Sequence, residues 1–271
     1  MIKRTITGAV LIAVLIAVLL FLPKICTAVL LSLMVAVAAH ELLWATGLAE
    51  NRRLVIYAQV TAVLEVWWCY FGMPYVWALA AVLVFTAVCF AELLISHGKL
   101  PFHQIAMTII AGLLIPFLLS ALVRIVLMEH GRYLIPAPFV MAFMTDTGAY
   151  LVGCAFGKHK LCPVISPKKT VEGLCGGILG GIVGMLLYGV VLQSAFGFTV
   201  NFLFAAVYGV IGAAAATFGD LMFSVIKRQT GIKDYGKLLP GHGGILDRFD
   251  SVTMVAPAAE LLLLILPLAV K

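Results

Sequence analysis

Charge is what this chain has least of. Only 11% of its 271 residues are Asp, Glu, Lys or Arg, against about 25% in an ordinary soluble domain. Hydrophobic residues reach 63%, more than the roughly 45–50% that one soluble core and its surface accommodate, and a soluble globular protein is excluded. A long hydrophilic linker is also missing, which argues against a soluble domain carried on an anchor. The six cysteines, Cys26, Cys69, Cys89, Cys154, Cys162 and Cys175, form no CxxC pair, so neither a zinc site nor a disulfide framework is expected.

What the sequence does have is a series of uncharged runs, each about 20 residues long and sufficient to cross a bilayer. Spans are expected near 5–22, 25–48, 54–71, 75–95, 104–128, 137–157, 173–193, 200–226 and 251–270. The predicted fold is therefore all-α, a polytopic transmembrane helix bundle of about nine spans forming one integral membrane domain over 1–271. Residues 1–136 are mainly scaffold, and 137–271 carry the motifs. The basic start and first apolar run could pass for a signal peptide, but the run is of full span length and a second follows at once.

The formal net charge is +6, yet the cations sort by side in a way that reads as membrane topology, with no nucleic-acid partner implied. With Lys3 and Arg4 cytoplasmic, about 14 cations fall inside and only Lys24, Arg132 and Lys271 outside, as retained cytoplasmic loops require. Arg124 stays within a span. The N-terminus is expected in the cytoplasm, and both basic loops face that side, where nucleotides and divalent metals are available. Compactness and the lack of a transit segment point to a bacterial plasma membrane.

Several acids lie inside spans, where ionisable groups are functional candidates: Glu41 beside His40, Glu65, Glu92, Asp146 and Glu260. The plainer account is that such acids hold helices together by hydrogen bonds. Glu41 is close enough to the inner leaflet to join a site. Gly176, Gly180 and Gly184 repeat every four residues, and Gly212 with Ala213 to Ala216 gives the next span a similar face. Backbones can approach closely along such faces and bring the flanking polar loops together.

Asp220, Ser224 and Lys227 are spaced i, i+4, i+7 and share one stripe of a helix, with Arg228 to one side. Asp220 lies roughly 10 Å below the inner surface, near phospholipid headgroup depth. Asp247 and Asp250 lie three apart at the start of the last span, where a helix N-terminus favours carboxylates. Asp220 and Asp247 would supply the one or two carboxylates that Mg²⁺ takes from protein. Lys227, Arg228, Lys233 and Arg248 would neutralise phosphate oxygens, and His242 would donate a hydrogen bond. Gly241, Gly243 and Gly244 would let backbone N–H groups approach an anion.

A second constellation includes Asp146 and the loop Gly157 to Gly173. Ser166, Lys168, Lys169 and Thr170 lead into a helix N-terminus, which already attracts anions, and Glu172 follows as a candidate cleft acid with Asp146 and Glu41. Asp146, roughly 16 Å deep, lines a polar cleft or bonds within the bundle.

Taken together, Ser224-Val-Ile-Lys-Arg228, Lys233-Asp234 and Leu239-Pro-Gly-His-Gly-Gly-Ile-Leu-Asp-Arg-Phe-Asp250, with Ser166-Pro-Lys-Lys-Thr-Val-Glu-Gly173 before them, resemble the phosphatidate cytidylyltransferase (CDP-diacylglycerol synthase) family. The resemblance is close over the motif-rich half and rests on hydropathy before it. It implies transfer of a cytidylyl group from CTP to phosphatidic acid of the inner leaflet, by in-line attack on the α-phosphorus with loss of pyrophosphate. It also implies Mg²⁺ at Asp220 and Asp247, a monovalent cation such as K⁺, and a homodimer in the lipid bilayer. Two alternatives are a related CTP transferase acting on another lipid phosphate and an ion-coupled transporter; the latter should show repeats relating its halves, and the sequence has no such correspondence.

Overall fold

The computed structural model describes residues 13–47, 51–97, 99–236, 238 and 243–271. Its long helices are α1 (Lys24–Ala45), α2 (Arg52–Phe71), α3 (Tyr75–Ile95), α4 (Phe102–Leu127), α5 (Pro136–Phe156), α6 (Val171–Phe196), α7 (Phe202–Gln229) and α8 (Leu246–Ile265). Four short strands accompany them: β1 (Lys160–Cys162), β2 (Ser166–Thr170), β3 (Thr199–Val200) and β4 (Ala269–Val270). Among the described residues, seven helices are long and apolar enough to cross a membrane, and the protein is an integral membrane protein of the all-α class. Of the first expected span, 5–22, residues 5–12 lie outside the described ones, while 13–21 are helical and end in a π-helical segment at Ala17–Phe21. The last corresponds to α8, whose opening turn is crowded by Asp247, Arg248 and Asp250 and whose interior holds Pro257.

The chain divides into two compact units, one of Met1–Glu129 with Thr230–Phe249, the other of His130–Gln229 with Asp250–Lys271. In the first, α1, α2 and α4 bury Leu42, Leu43, Leu54, Ile105, Leu119 and Ile125. Transmembrane helix α4 contains a π-helical turn at Ile110–Leu114 just before Pro116, where the missing proline N–H breaks the regular ladder. Gly112 in that turn admits α2 and α3, since a Cβ there would lie 2.6 Å from Phe85 Cζ and 3.0 Å from Ala58 Cα. Glu92 ties α2 to α3: it accepts from Tyr57 Oη at 3.2 Å and lies 3.5 Å from Arg53 Nη1. Arg124 is accommodated in its span by the Phe117 carbonyl at 3.3 Å and by the Phe117 ring, 4.8 Å away.

In the second unit the Gly176, Gly180 and Gly184 face of α6 packs on α5, and Gly212 of α7 meets Met141 of α5 as well. A side chain on Gly176 or Gly180 of α6 would run into Gly148 or Met144 carbonyl oxygens on α5, and one on Gly181 would lie 2.7 Å from the Gly209 carbonyl oxygen of α7. Without side-chain bulk the backbones pack directly, the arrangement that favours association inside lipid. Between α5 and α6, β1 and β2 form an antiparallel hairpin with Lys160 opposite Thr170 and Cys162 opposite Ser166. Thr170 then caps α6, its Oγ1 accepting from Gly173 N at 3.0 Å, as N-cap threonines do. Gly197, at φ 71°, ends the helix in the left-handed region. Asn201 starts α7 by accepting from Leu203 N and Phe204 N at 3.1 and 3.2 Å.

Candidate functional site

A cavity of about 450 Å³ opens in the second unit, lined by Asp146, Tyr150, Lys160, Lys168, Lys169 and Thr217 among others. Its size falls within the range of small-molecule sites, about 300–1,000 Å³. The wall is assembled from α5 (Asp146, Tyr150), the hairpin (Lys160, Lys168, Lys169) and α7 (Thr217), so three lysines on a two-stranded ribbon oppose an acid on a helix. Lys168 and Lys169 therefore sit in the strand preceding α6, and it is Thr170 that occupies the helix N-cap.

Lys169 Nζ forms an ion pair with Asp220 Oδ2, and both side chains are 26% exposed. The carboxylates of Asp146, Asp220 and Asp250 lie within electrostatic reach of one another, with Lys169 acting on Asp146 and Lys227 on Asp250. Gly219 makes the approach of α8 possible, since a Cβ there would lie 2.6 Å from the Asp250 carbonyl oxygen. Like charges held together in a poorly solvated place repel unless cations balance them, and the lysines do this in part.

Around this cluster the hairpin is held at both ends. Glu172, in the first turn of α6, accepts from Lys158 N at 3.1 Å and His159 N at 3.2 Å, and its Oε1 lies 2.6 Å from His159 Nδ1. Arg228 Nε donates to the Ile165 carbonyl oxygen at 3.1 Å, linking the end of α7 to the turn of the hairpin. Ser224 is buried one turn beyond Asp220 on α7, and Ser166 opens β2 opposite Cys162.

The first unit holds the remaining residues of the signature. Asp247 is 7% exposed, and its Oδ2 accepts from Tyr235 N at 2.8 Å and Gly244 N at 3.0 Å. The Gly244 N–H is thus turned to Asp247, while Gly243 adopts φ 85°, a conformation side-chain-bearing residues seldom take. Glu41, on α1, is 5% exposed and gives its two oxygens to Ile245 N and Leu246 N at 3.0 and 2.8 Å. Lys233 and Arg248 are exposed. His242 and Gly241 lie outside the described residues.

Hard carboxylate oxygens suit Mg²⁺, which takes one or two of them from protein and completes its shell with water and phosphate. Asp220 fits that requirement, because the Lys169 ammonium already places a positive charge on its oxygen. Among the described residues no group of three or more His, Cys, Asp or Glu side chains forms a closed metal cage, and an ion that shares its shell with substrate needs none.

Lys160 lies in the loop Gly157 to Gly173 singled out above, but the sequence assigns no role to it, to Tyr150 or to Thr217. Thr217 precedes Asp220 by three positions, a same-face spacing that was there to be used. Lys160 had no such signal, because only the strand pairing brings it across from Thr170.

A family model described as the cytidylyltransferase family matches residues 2–266. The phosphatidate cytidylyltransferase of Staphylococcus haemolyticus (strain JCSC1435) is 43% identical over 136 residues, which are 50% of this chain and 51% of the relative. That of Staphylococcus epidermidis (strain ATCC 12228 / FDA PCI 1200) is 46% identical over 136 residues, half of each chain at 50% and 50%. That of Staphylococcus aureus (strain COL) is 44% identical over 138 residues, 50% of this chain and 51% of the relative. The chain spans about half the length of the curated relatives it matches.

Proposed function

The chain belongs to the cytidylyltransferase family, and we propose that it transfers the cytidylyl group of CTP to phosphatidic acid, forming CDP-diacylglycerol and pyrophosphate. The observation that carries this reading is the lysine-lined cavity of the second unit with Asp146 in its wall and the Lys169–Asp220 pair beside it. A triphosphate brings several negative charges at once, and Lys160, Lys168 and Lys169 on one ribbon match that pattern. The names of the staphylococcal relatives supply the acceptor, phosphatidate.

In the proposed reaction a phosphate oxygen of phosphatidic acid attacks the α-phosphorus of CTP in line, and the bond to the β-phosphate oxygen breaks as pyrophosphate leaves. The nucleophile is already an anion at neutral pH, so no general base is needed. The work of the protein is positional and electrostatic. Lys160, Lys168 and Lys169 hold the triphosphate and balance its charge, Lys227 and Arg228 extend the cationic surface at the end of α7, and Thr170 fixes the ribbon to α6. By the resemblance, Asp220 and Asp247 are the residues that would hold Mg²⁺, with a monovalent cation such as K⁺ as a second ion. Bound there, Mg²⁺ supplies positive charge to phosphate oxygens.

The same reading places the site on the cytoplasmic side of a bacterial plasma membrane, with the N-terminus inside and two copies assembled as a homodimer. The positive-inside distribution of cations supports the orientation, and the staphylococcal relatives support the compartment. The deciding experiment incubates purified protein with radiolabelled CTP, Mg²⁺ and a panel of lipid phosphates. Labelled CDP-diacylglycerol from phosphatidic acid is expected. Label in a different lipid phosphate would move the protein to another acceptor, and no labelled lipid from any acceptor would overturn the transferase assignment.

A further inference from the structure

Helix α8 begins without a cap of its own. The residue at its N-cap position is Ile245, whose carbonyl oxygen accepts from Arg248 N at 3.0 Å and Phe249 N at 3.2 Å. An isoleucine has no side-chain oxygen to offer the first N–H groups, which a buried helix end cannot leave unmet. The acceptor comes from α1 instead, where Glu41 gives one carboxylate oxygen to Ile245 N at 3.0 Å and the other to Leu246 N at 2.8 Å.

Two bonds from one rigid carboxylate to consecutive N–H groups restrain more than one would: they fix the depth of the helix end and its rotation about the helix axis. The carboxylate is itself fixed, since Leu42 and Leu43, the next residues of α1, are fully buried. A Cβ on Gly236 or Gly244 would collide with the Glu41 carboxylate, so the backbone closes around it on two sides. Asp247 follows Leu246 directly, and its own carboxylate is tied to Tyr235 N and Gly244 N.

We propose that Glu41 is a positioning residue for cytidylyl transfer: it sets the rotation and depth of the α8 N-terminus and through it the direction in which Asp247 points. The inference rests on the transferase reading above and concerns a side chain whose two carboxylate oxygens are both given to backbone N–H groups of the α8 start.

The test compares Glu41→Gln, Glu41→Asp and the unchanged protein, each full length in detergent and checked for assembly by size exclusion. Glutamine keeps the length but turns an amide group toward one of the two N–H donors, whereas aspartate keeps the charge and is one methylene short. Amide hydrogen exchange of the segment 243–249 should be faster by about tenfold or more in Glu41→Gln, the change expected from losing a charge-assisted bond at a helix end. The kcat for CTP and phosphatidic acid should fall by about tenfold or more, with KM for CTP held within about twofold. Unchanged exchange at 243–249 would overturn the restraint itself. Faster exchange with kcat within about twofold of the unchanged protein would make Glu41 a brace with no part in positioning and would also overturn the proposal. If Glu41→Gln fails to assemble, the same two outcomes are read on Glu41→Asp. Should the unchanged protein transfer no cytidylyl group at all, the reaction assignment is what fails, and the exchange comparison still decides whether Glu41 holds the segment.

Discussion

Glu41 Oε2 accepts a hydrogen bond from the Leu246 amide at 2.8 Å, joining positions 205 residues apart in the chain. A helix of the apolar first half thus supplies the cap that the last helix lacks. Replacing Glu41 by leucine keeps the volume and removes both acceptors, leaving the buried Leu246 N–H and the part-buried Ile245 N–H without them. Such orphaned donors cost about 1–3 kcal/mol each, and a lower melting temperature in detergent is expected for Glu41→Leu.

Asp220 is paired with Lys169, so a cation arriving at that carboxylate competes with an ammonium group. Added Mg²⁺ should raise the melting temperature by mass action, by the equivalent of about 2.7 kcal/mol at a hundredfold excess over Kd. In Asp220→Asn the shift should vanish, and turnover should drop by about a hundredfold or more while the protein still assembles. Asp247→Asn should lose turnover as well. Full activity in either variant would refute the metal assignment.

Thr170 closes the hairpin and opens α6 in one residue. Thr170→Ala should cost about 1 kcal/mol through loss of the cap, and Thr170→Ser should recover most of it. Because Lys168 and Lys169 sit on the same strand, Thr170→Ala should also raise KM for CTP, which steady-state kinetics on the three proteins would measure.

Gly180 of α6 has the Met144 carbonyl of α5 where a side chain would go. Gly180→Leu forces two backbones apart, and overpacking of this kind costs about 1–3 kcal/mol or more. Loss of assembled protein on size exclusion, or a markedly lower melting temperature, is the expected outcome. An unaltered melt would show that α5 and α6 can separate freely there.

Span positions were legible because each depends on a run of apolar residues, and α1 to α7 begin and end within a few residues of expectation. The glycine faces were legible for a similar reason, since a four-residue repeat fixes a helical face whatever lies opposite. The hairpin was not. Lys160–Cys162 and Ser166–Thr170 hold lysines and a proline, which read as loop, and their pairing is decided by the α5 and α6 ends that they join. Nor was the service of Glu41 to α8 legible, for no local pattern carries a partner 205 residues away. Asp220 was recognised by spacing on its own helix, whereas the approach of Asp146 depends on the packing of α5 and that of Asp250 on α8 meeting α7 at Gly219.

The glycine seam between α5 and α6 sets a limit on movement. Where peptide groups of two helices rest directly on each other, there are no long side chains to repack, so sliding or tilting would open a gap that nothing nearby can fill. The ribbon growing from those two helices therefore stands on an unyielding base. In the proposed reaction, the motion that accompanies the arrival and departure of a nucleotide on that side would belong to the lysine side chains, whose flexible stems can reach out and retract while their foundation stays still.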